Sequence, residues 1–267
     1  MMIERAPAKL NLALHVRARR ADGYHELETL FAFVEFGDEV TVVPADKDSF
    51  TMTGPFAAGL SGEGDNLVTR AAAAFVRRFG GCPHAITLDK RLPVASGIGG
   101  GSADAAATLR ALGRLHGVAD EAMFEIADGL GSDVPACLLG RTAIGRGRGE
   151  RLEPVPGMPG TAVLLVNPGV AVSTAEVFRR WDGVDRGPLG SDPLAGRNDL
   201  EAPARAIAPV IGEVLEALAA QAGVMLARMS GSGATCFALF DAPDACAAAA
   251  QALSRPGWWV QPTRLTR

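Results

Sequence analysis

The feature that most constrains this chain is a run of small residues near its middle, Pro93-Val94-Ala95-Ser96-Gly97-Ile98-Gly99-Gly100-Gly101-Ser102-Ala103. An alternating stretch over 84–92 precedes it and reads as a strand. An alanine-rich stretch over 104–115 follows and predicts a helix. A strand, a glycine loop and a helix start together present unpaired backbone N–H groups to an anion. Glycine lets the chain approach a phosphate closely and take positive φ. The alternative is a flexible turn with a helix cap at Ser102, but four glycines within five positions exceed what a surface turn needs. No lysine follows the glycines, so the P-loop pattern is absent. The dinucleotide frame G-x-G-x-x-G breaks at Ser102. A lysine for the phosphates must come from elsewhere, and the chain has only Lys9, Lys47 and Lys90.

The 267 residues make one large domain or two small ones, and 48% hydrophobic content supports an ordered core. A net charge of −4 argues against a nucleic-acid partner. Cys82, Cys137, Cys236 and Cys246 form no C-x-x-C, and the four histidines do not join them at metal-ligand spacing. Free thiols, no apolar leader and no membrane-length run predict a soluble, cytoplasmic protein.

Residues 6–16 alternate, with Leu10, Leu12, Leu14 and Val16 on one face and Lys9, Asn11, Ala13 and His15 on the other. This predicts a half-buried strand carrying Lys9 beside Asn11 on its polar face. Asp22-Gly23 signals a turn, followed by Tyr24, the single tyrosine, and His25. Residues 26–36 and 39–43 read as two strands joined at Gly37-Asp38. Residues 44–64 are turn-rich with one short apolar piece. Asp65-Asn66 caps a helix over 67–79, and a second helix spans 120–130. Asp133 then sits in a tight Gly-Ser-Asp-Val-Pro segment, either as a turn former or as a rigidly held carboxylate. Residues 141–153 predict a hairpin, and the proline-rich stretch 154–160 a domain boundary. Beyond it, a strand over 161–166 precedes a capping box at Ser173-Thr174-Ala175-Glu176, which opens a short helix with Phe178 and Trp181. Residues 183–196 form a polar loop expected to be mobile. Asn198-Asp199-Leu200-Glu201 caps another helix, and a further one covers 210–222. A second small-residue loop, Ser230-Gly231-Ser232-Gly233-Ala234-Thr235, joins strands over 225–229 and 236–240. A helix over 243–253 and a strand over 258–265 follow. Strands opening the chain and an alternating second half predict an α+β fold.

The early strand with its lysine, the central P-x-x-x-G-x-G-G-G-S loop and the late S-G-S-G loop together resemble the three-motif signature of the GHMP kinases. The likeness runs from about residue 5 to the C-terminus. Pro7-Ala8-Lys9-Leu10-Asn11-Leu12, Arg20 to Leu27 and Leu130-Gly131-Ser132-Asp133-Val134-Pro135 sharpen it. So do Asn198 to Glu201 and Met229 to Ala234. They point to the members whose acceptor is a cytidine-diphosphate-linked methylerythritol. The resemblance implies a two-domain α+β fold, with an N-terminal ATP-binding domain at 1–156 and a smaller ferredoxin-like substrate domain at 157–267. The active site would lie in the cleft between them. It implies transfer of phosphate from ATP, with Mg²⁺, to the acceptor's 2-hydroxyl, in the non-mevalonate route to isopentenyl diphosphate. The implied partner is that small molecule, with no nucleic acid or membrane, on a monomer or weak homodimer.

The resemblance also assigns roles. Residues 93–103 hold the ATP phosphates, and Asn66 lines the adenine site. Asp133 is the general base and Lys9 assists it. Asn11 and Thr174 reach the acceptor, Tyr24 and Phe178 sandwich the cytosine, and His25 reads its polar edge. Ser230, Gly231 and Gly233 face the acceptor. Ser102 and Asp133 are candidate Mg²⁺ ligands. One departure stands out: Ala103-Asp104 replaces a family Ser-Asn, which puts an extra acid next to the phosphate loop, or a cap on its helix. A GHMP kinase with another acceptor, a silent nucleotide-binding regulator and a Rossmann oxidoreductase are the competing readings. The broken dinucleotide frame and the strand-rich opening weigh against the last.

Overall fold

The computed structural model describes residues 1–60, 66–190 and 192–266. Two long strands open the chain, Met2–Arg19 (β1) and His25–Pro44 (β2). Strand Ser49–Thr53 (β3), helix Leu67–Phe79 (α1) and strand His84–Asp89 (β4) follow. Three helices come next, Gly100–His116 (α2), Phe124–Leu130 (α3) and Val134–Leu139 (α4). Strands Ala143–Gly147 (β5), Arg151–Pro154 (β6) and Ala162–Asn167 (β7) lead to helices Thr174–Arg179 (α5), Glu201–Ile207 (α6) and Val210–Ala219 (α7). The chain finishes with Val224–Met229 (β8), Cys236–Phe240 (β9), Pro243–Leu253 (α8) and Trp259–Arg264 (β10).

The contacts form two compact units. One comprises Met1–Ala8, Gly37–Val94 and Gly99–Gly140; the other comprises Lys9–Phe36, Ala95–Ile98 and Arg141–Arg267. In the first unit, β4 runs antiparallel to the end of β2 and parallel to β3. That pairing gives the short apolar piece of the turn-rich region its place. Helix α1 starts at Asn66, whose Oδ1 accepts from the amides of Val68 and Thr69; Asp65 and the rest of 61–65 lie outside the described residues. Helix α2 packs against α1 and α4. It is buried from Ala103 to Leu109 and from Ala111 to Gly113, which its alanines allow at close range.

In the second unit, β5 pairs antiparallel with β2 and with β6, the expected hairpin. A separate four-stranded sheet has the order β10-β7-β9-β8, with every neighbouring pair antiparallel. Its core joins Ala162, Leu164 and Val166 of β7 to Ile211, Val214, Leu215 and Leu218 of α7 and to Cys246, Ala249 and Leu253 of α8. Period two on the strand meets period three to four on the helix, the pattern each element needs to bury one face.

Several expectations are corrected. The two strands expected at 26–36 and 39–43 are the single strand β2. Gly37 is required there by a close approach, since a Cβ would lie 2.1 Å from the carbonyl oxygen of Ala6. β1 is not half-buried: residues 8–16 are buried on both faces, so its polar side chains are bonded inside the protein. Helix α2 begins at Gly100, within the glycine loop rather than after it, with left-handed Gly99 as its cap. The 120–130 helix is a 3-10 turn, Asp120–Met123, running into α3. The segment after it is not only a turn, because α4 starts at Val134.

Candidate active site

Lys9, Asn11, the early part of the glycine loop and the late loop are all bonded together in the second unit. The amide of Lys9 donates to the carbonyl of Ile98 at 2.9 Å. Its ammonium, 3% exposed, donates to Asn11 Oδ1 at 2.8 Å and lies over the Phe31 ring. Asn11 Nδ2 passes the chain on to the Thr29 hydroxyl, which donates to Ala13 carbonyl. Thr29 carried no signal in the sequence beyond facing inward on a strand. Ser230 is the junction. Its hydroxyl accepts from the Asn11 amide at 3.2 Å and donates to the Gly97 carbonyl at 3.0 Å. The Thr235 amide donates to Ser96 carbonyl.

Glycine is dictated at this junction. A Cβ on Gly97 would lie 2.6 Å from the carbonyl oxygens of both Ser230 and Gly233, and its φ is +76°. A Cβ on Gly231 would lie 2.8 Å from Gly97 O. Asn198 Nδ2 donates to the carbonyls of Met229 and Gly231, fixing the late loop from a third side. The Thr174 hydroxyl meets that of Ser232 at 2.9 Å. Positive φ recurs at Ala95, Gly97 and Gly99. Backbone that alternates in this way turns successive amides toward a common concavity suited to an anion.

The rest of the loop belongs to the first unit, with Pro93 and Val94 before it. Gly99 caps α2, and Gly100, Gly101 and Ser102 open its first turn, where helix amides have no intrahelical acceptor; the Ala103 amide makes the first helical bond, to the Gly99 carbonyl at 2.8 Å. Beneath it lies a buried charge cluster. Lys90 Nζ donates to Asp38 Oδ2 at 2.5 Å and to Asp104 Oδ2 at 2.7 Å. Asp38 stands one step beyond the Glu39–Asp89 pair of β2 and β4, so the sheet register sets it opposite Lys90. Its Oδ1 also accepts from the amides of Arg91 and Leu92. A Cβ on Gly100 would lie 3.0 Å from Lys90 Nζ, so the ammonium sits close against the helix start. Burial pushes the Asp104 carboxyl up to about 8, against the pull of Lys90 and with Asp38 adding to the rise. Burial lowers the Lys90 ammonium, but Asp104 and Asp38 outweigh it and leave its pKa raised. The extra acid at 104 is therefore neither a loose charge beside the loop nor a helix cap; Lys90 holds it. Asp133 is at the N-cap of α4, and its carbonyl accepts from the Cys137 amide.

The side chains of the expected base clamp, Tyr24, His25 and Phe178, each have an aromatic or cationic neighbour. His25 packs on Phe178 at 4.9 Å between centroids and meets Trp181 edge-on at 5.7 Å. Tyr24, 51% exposed, has the Arg148 guanidinium over its ring at 5.0 Å. Burial, helped by the charge of Arg19, lowers the His25 pKa and favours the neutral ring. His25 Nε2 and Trp181 Nε1 are two buried polar atoms without a hydrogen-bond partner among the described residues. Such atoms are costly unless a ligand satisfies them. Trp181 was not among the expected site residues; it lies two residues past the end of α5, where its amide donates to the Phe178 carbonyl at 3.2 Å, and its spacing of three from Phe178 was the available signal. Asn66 caps α1, which is a structural use of the residue expected at the adenine. The loop expected to be mobile is tied at its described residues: Leu189 N donates to Glu28, Gly187 O meets His15 Nδ1, and Arg17 pairs with Asp185. Ser191 lies outside the described residues.

The sequence and fold match those of a known group of enzymes. The family description "GHMP kinases N terminal domain" matches residues 66–141, and "GHMP kinases C terminal" matches 191–257. The chain belongs to the GHMP kinase family and is a small-molecule phosphotransferase with that family's α+β fold. It is 56% identical to the 4-diphosphocytidyl-2-C-methyl-D-erythritol kinase of Rhizorhabdus wittichii, over 98% of this chain and 94% of that one. It is 52% identical to the protein of the same name from Novosphingobium aromaticivorans, over 96% and 90%. A crystal structure of 4-(cytidine 5'-diphospho)-2C-methyl-D-erythritol kinase matches with a TM-score of 0.85 at 38% identity, over 100% of both chains. Homoserine kinase from Cytophaga hutchinsonii shares the fold at a TM-score of 0.73 and 19% identity, over 98% and 93%.

Proposed function

We propose that the chain transfers the γ-phosphoryl of ATP to the 2-hydroxyl of 4-diphosphocytidyl-2-C-methyl-D-erythritol, a step in the non-mevalonate route to isopentenyl diphosphate. The observation that carries the phosphoryl-transfer reading is the junction at Ser230, which hydrogen-bonds the strand of Lys9 and Asn11 to Gly97 of the glycine loop. The names of the relatives support the acceptor. The unpartnered His25 Nε2 and Trp181 Nε1, beside the aromatic face of Phe178, suit the polar edge and flat face of a nucleobase. A base stacked on such a ring gains about 1–3 kcal/mol.

In this reading the amides of residues 95–103 hold the ATP phosphates. Asp133 takes the proton of the attacking hydroxyl, a role worth roughly 10²–10⁴ in rate. Lys9, locked by Asn11, stabilises charge on the transferring group. Mg²⁺ takes hard oxygen donors. Asp104 is bound to Lys90 and Asp133 is read as the base, so of the candidate ligands the Ser102 hydroxyl, at the start of α2, would hold the ion. When bound with ATP, Mg²⁺ neutralises charge on the phosphates.

The test is ADP release with ATP and Mg²⁺ in the presence of the cytidylyl acceptor, mevalonate, homoserine or galactose. Turnover with the cytidylyl acceptor alone is expected. Turnover with another acceptor would overturn the base clamp and keep the kinase. No turnover with tight ATP binding would favour a silent regulator. Asp133→Asn should bind ATP normally and lose roughly 10²–10⁴ in kcat; near-normal kcat would remove it as the base.

A further inference from the structure

At the far end of α2 from the glycine loop, three side chains converge that the phosphoryl-transfer chemistry does not use. Cys82 precedes β4, His84 opens it, and His116 is the last residue of α2. The Nε2 atoms of the two histidines lie 2.9 Å apart, and Cys82 Sγ lies 3.9 Å from His84 Nε2. All three ligand atoms fall within 4.8 Å of one another. The sequence hid this cluster, because two of its members are separated from the third by a helix.

We propose that Cys82 Sγ, His84 Nε2 and His116 Nε2 form a binding site for a first-row transition-metal ion of the Zn²⁺ type, with a solvent molecule as fourth ligand. A tetrahedral zinc site with Zn–N near 2.0–2.1 Å and Zn–S near 2.3 Å separates its donors by about 3.3–3.6 Å. The observed spacing brackets that range, so small side-chain rotations suffice. The imidazoles are perpendicular, at 88°, so they do not stack; their nitrogens converge edge to edge. A hydrogen bond between two histidines accounts for two of these atoms but not for the sulfur.

The ligands are also held for the purpose. The His84 side chain is 2% exposed, and its backbone N–H donates to Asp48 Oδ1 at 2.9 Å. The His116 ring lies against Phe75, and a Cβ on Gly81 would come within 3.0 Å of it. Burial and the neighbouring His116 lower the His84 pKa, which favours the neutral ring that binds metal. Cys82 is exposed, which gives the ion a path from solvent. Binding forms one S–metal and two N–metal bonds, and the thiol proton leaves to solvent. The 17 residues of α2 put the site about 24 Å along the helix from the phosphate end. Its consequence is a clasp between the lead-in to β4 and the end of α2, not a second catalytic metal.

The experiment uses the whole protein, stripped with a chelator and titrated with Co²⁺ and then Zn²⁺. The expected result is one Co²⁺ per chain, with a thiolate-to-cobalt charge-transfer band and tetrahedral d–d bands, all displaced by Zn²⁺. Zn²⁺ should raise the melting temperature. Cys82→Ser should lose the charge-transfer band while keeping its circular dichroism and its kinase turnover with Mg²⁺ and ATP. His116→Gln should weaken Co²⁺ binding at least tenfold. No Co²⁺ bound by the wild type, Co²⁺ bound without the thiolate band, or a band that survives in Cys82→Ser would each overturn the site.

Discussion

Residues 95–98 and residues 99–103 of the glycine loop are supported by opposite means. The first stretch is gripped by neutral groups: Lys9 N on Ile98 O, Thr235 N on Ser96 O and Ser230 Oγ on Gly97 O. Each of these three bonds ends on main chain, and the chain can come that close only because Gly97 and Gly231 lack side chains. The second stretch stands over ions, with Lys90 between Asp38 and Asp104. Directional hydrogen bonds set a shape without changing the local charge. A buried cluster of two acids and one base sets the charge under the helix start, at a desolvation cost that only close pairing offsets. The two kinds of support are divided between neighbouring stretches of one loop.

The comparison breaks most decisively at Lys90. Lys90→Met leaves the buried Asp38 and Asp104 carboxyls without their cation and should destabilise the protein by about 3–5 kcal/mol, read from denaturant melts. Asp104→Asn leaves one neutral pair and should cost much less. It should also flatten the pH dependence. The folded Asp104 carboxyl holds its proton up to about 8, against an ordinary value of 3.8 for the free side chain, so the folded state binds more protons across that window. Wild-type stability therefore falls as pH rises through it, and Asp104→Asn should lose that slope. An unchanged slope would show that the cluster titrates elsewhere.

On the neutral side, Gly97→Ala puts a side chain at positive φ against two carbonyls and should cost about 1–3 kcal/mol with loss of turnover. Ser230→Ala removes one acceptor and one donor, for about 1–2 kcal/mol in the melt. The smallest effect on stability sharpens the contrast. A Cβ on Gly101 meets only Leu67 Cδ1 at 3.5 Å, so Gly101→Ala should be neutral or up to about 1 kcal/mol more stable. Its KM for ATP should nonetheless rise, because the added methyl stands between the helix start and the phosphates. An unchanged KM would remove the first turn of α2 from the phosphate site.

Much of this was legible in the sequence wherever local chemistry decides structure. The alternation of β4 and the Asn66 cap read correctly because their constraints act over a few residues. Gly37-Asp38 misled because it has turn composition. The glycine answers a close approach to Ala6, and the aspartate answers Lys90 and two amides 53 and 54 positions away. The same blindness applied to Asp104, whose partner is 14 residues back on another element. His116 meets His84 across 32 residues, and no spacing rule anticipates a helix end reaching a strand start. In the candidate site, the motif residues were visible as types and positions. Thr29 and Trp181 were not, since a strand threonine and a tryptophan just past a helix end look like ordinary core until their polar atoms are traced.

The scarcity of lysine has one more consequence. Lys47 and the amino terminus are exposed, while Lys9 and Lys90 are buried. An amine-directed reagent applied to the native enzyme should label the first pair at once. It can reach the other two only when the surrounding structure opens. The rates at which Lys9 and Lys90 acquire label are then two separate clocks, one for each support of the loop, and bound nucleotide should slow them to different extents.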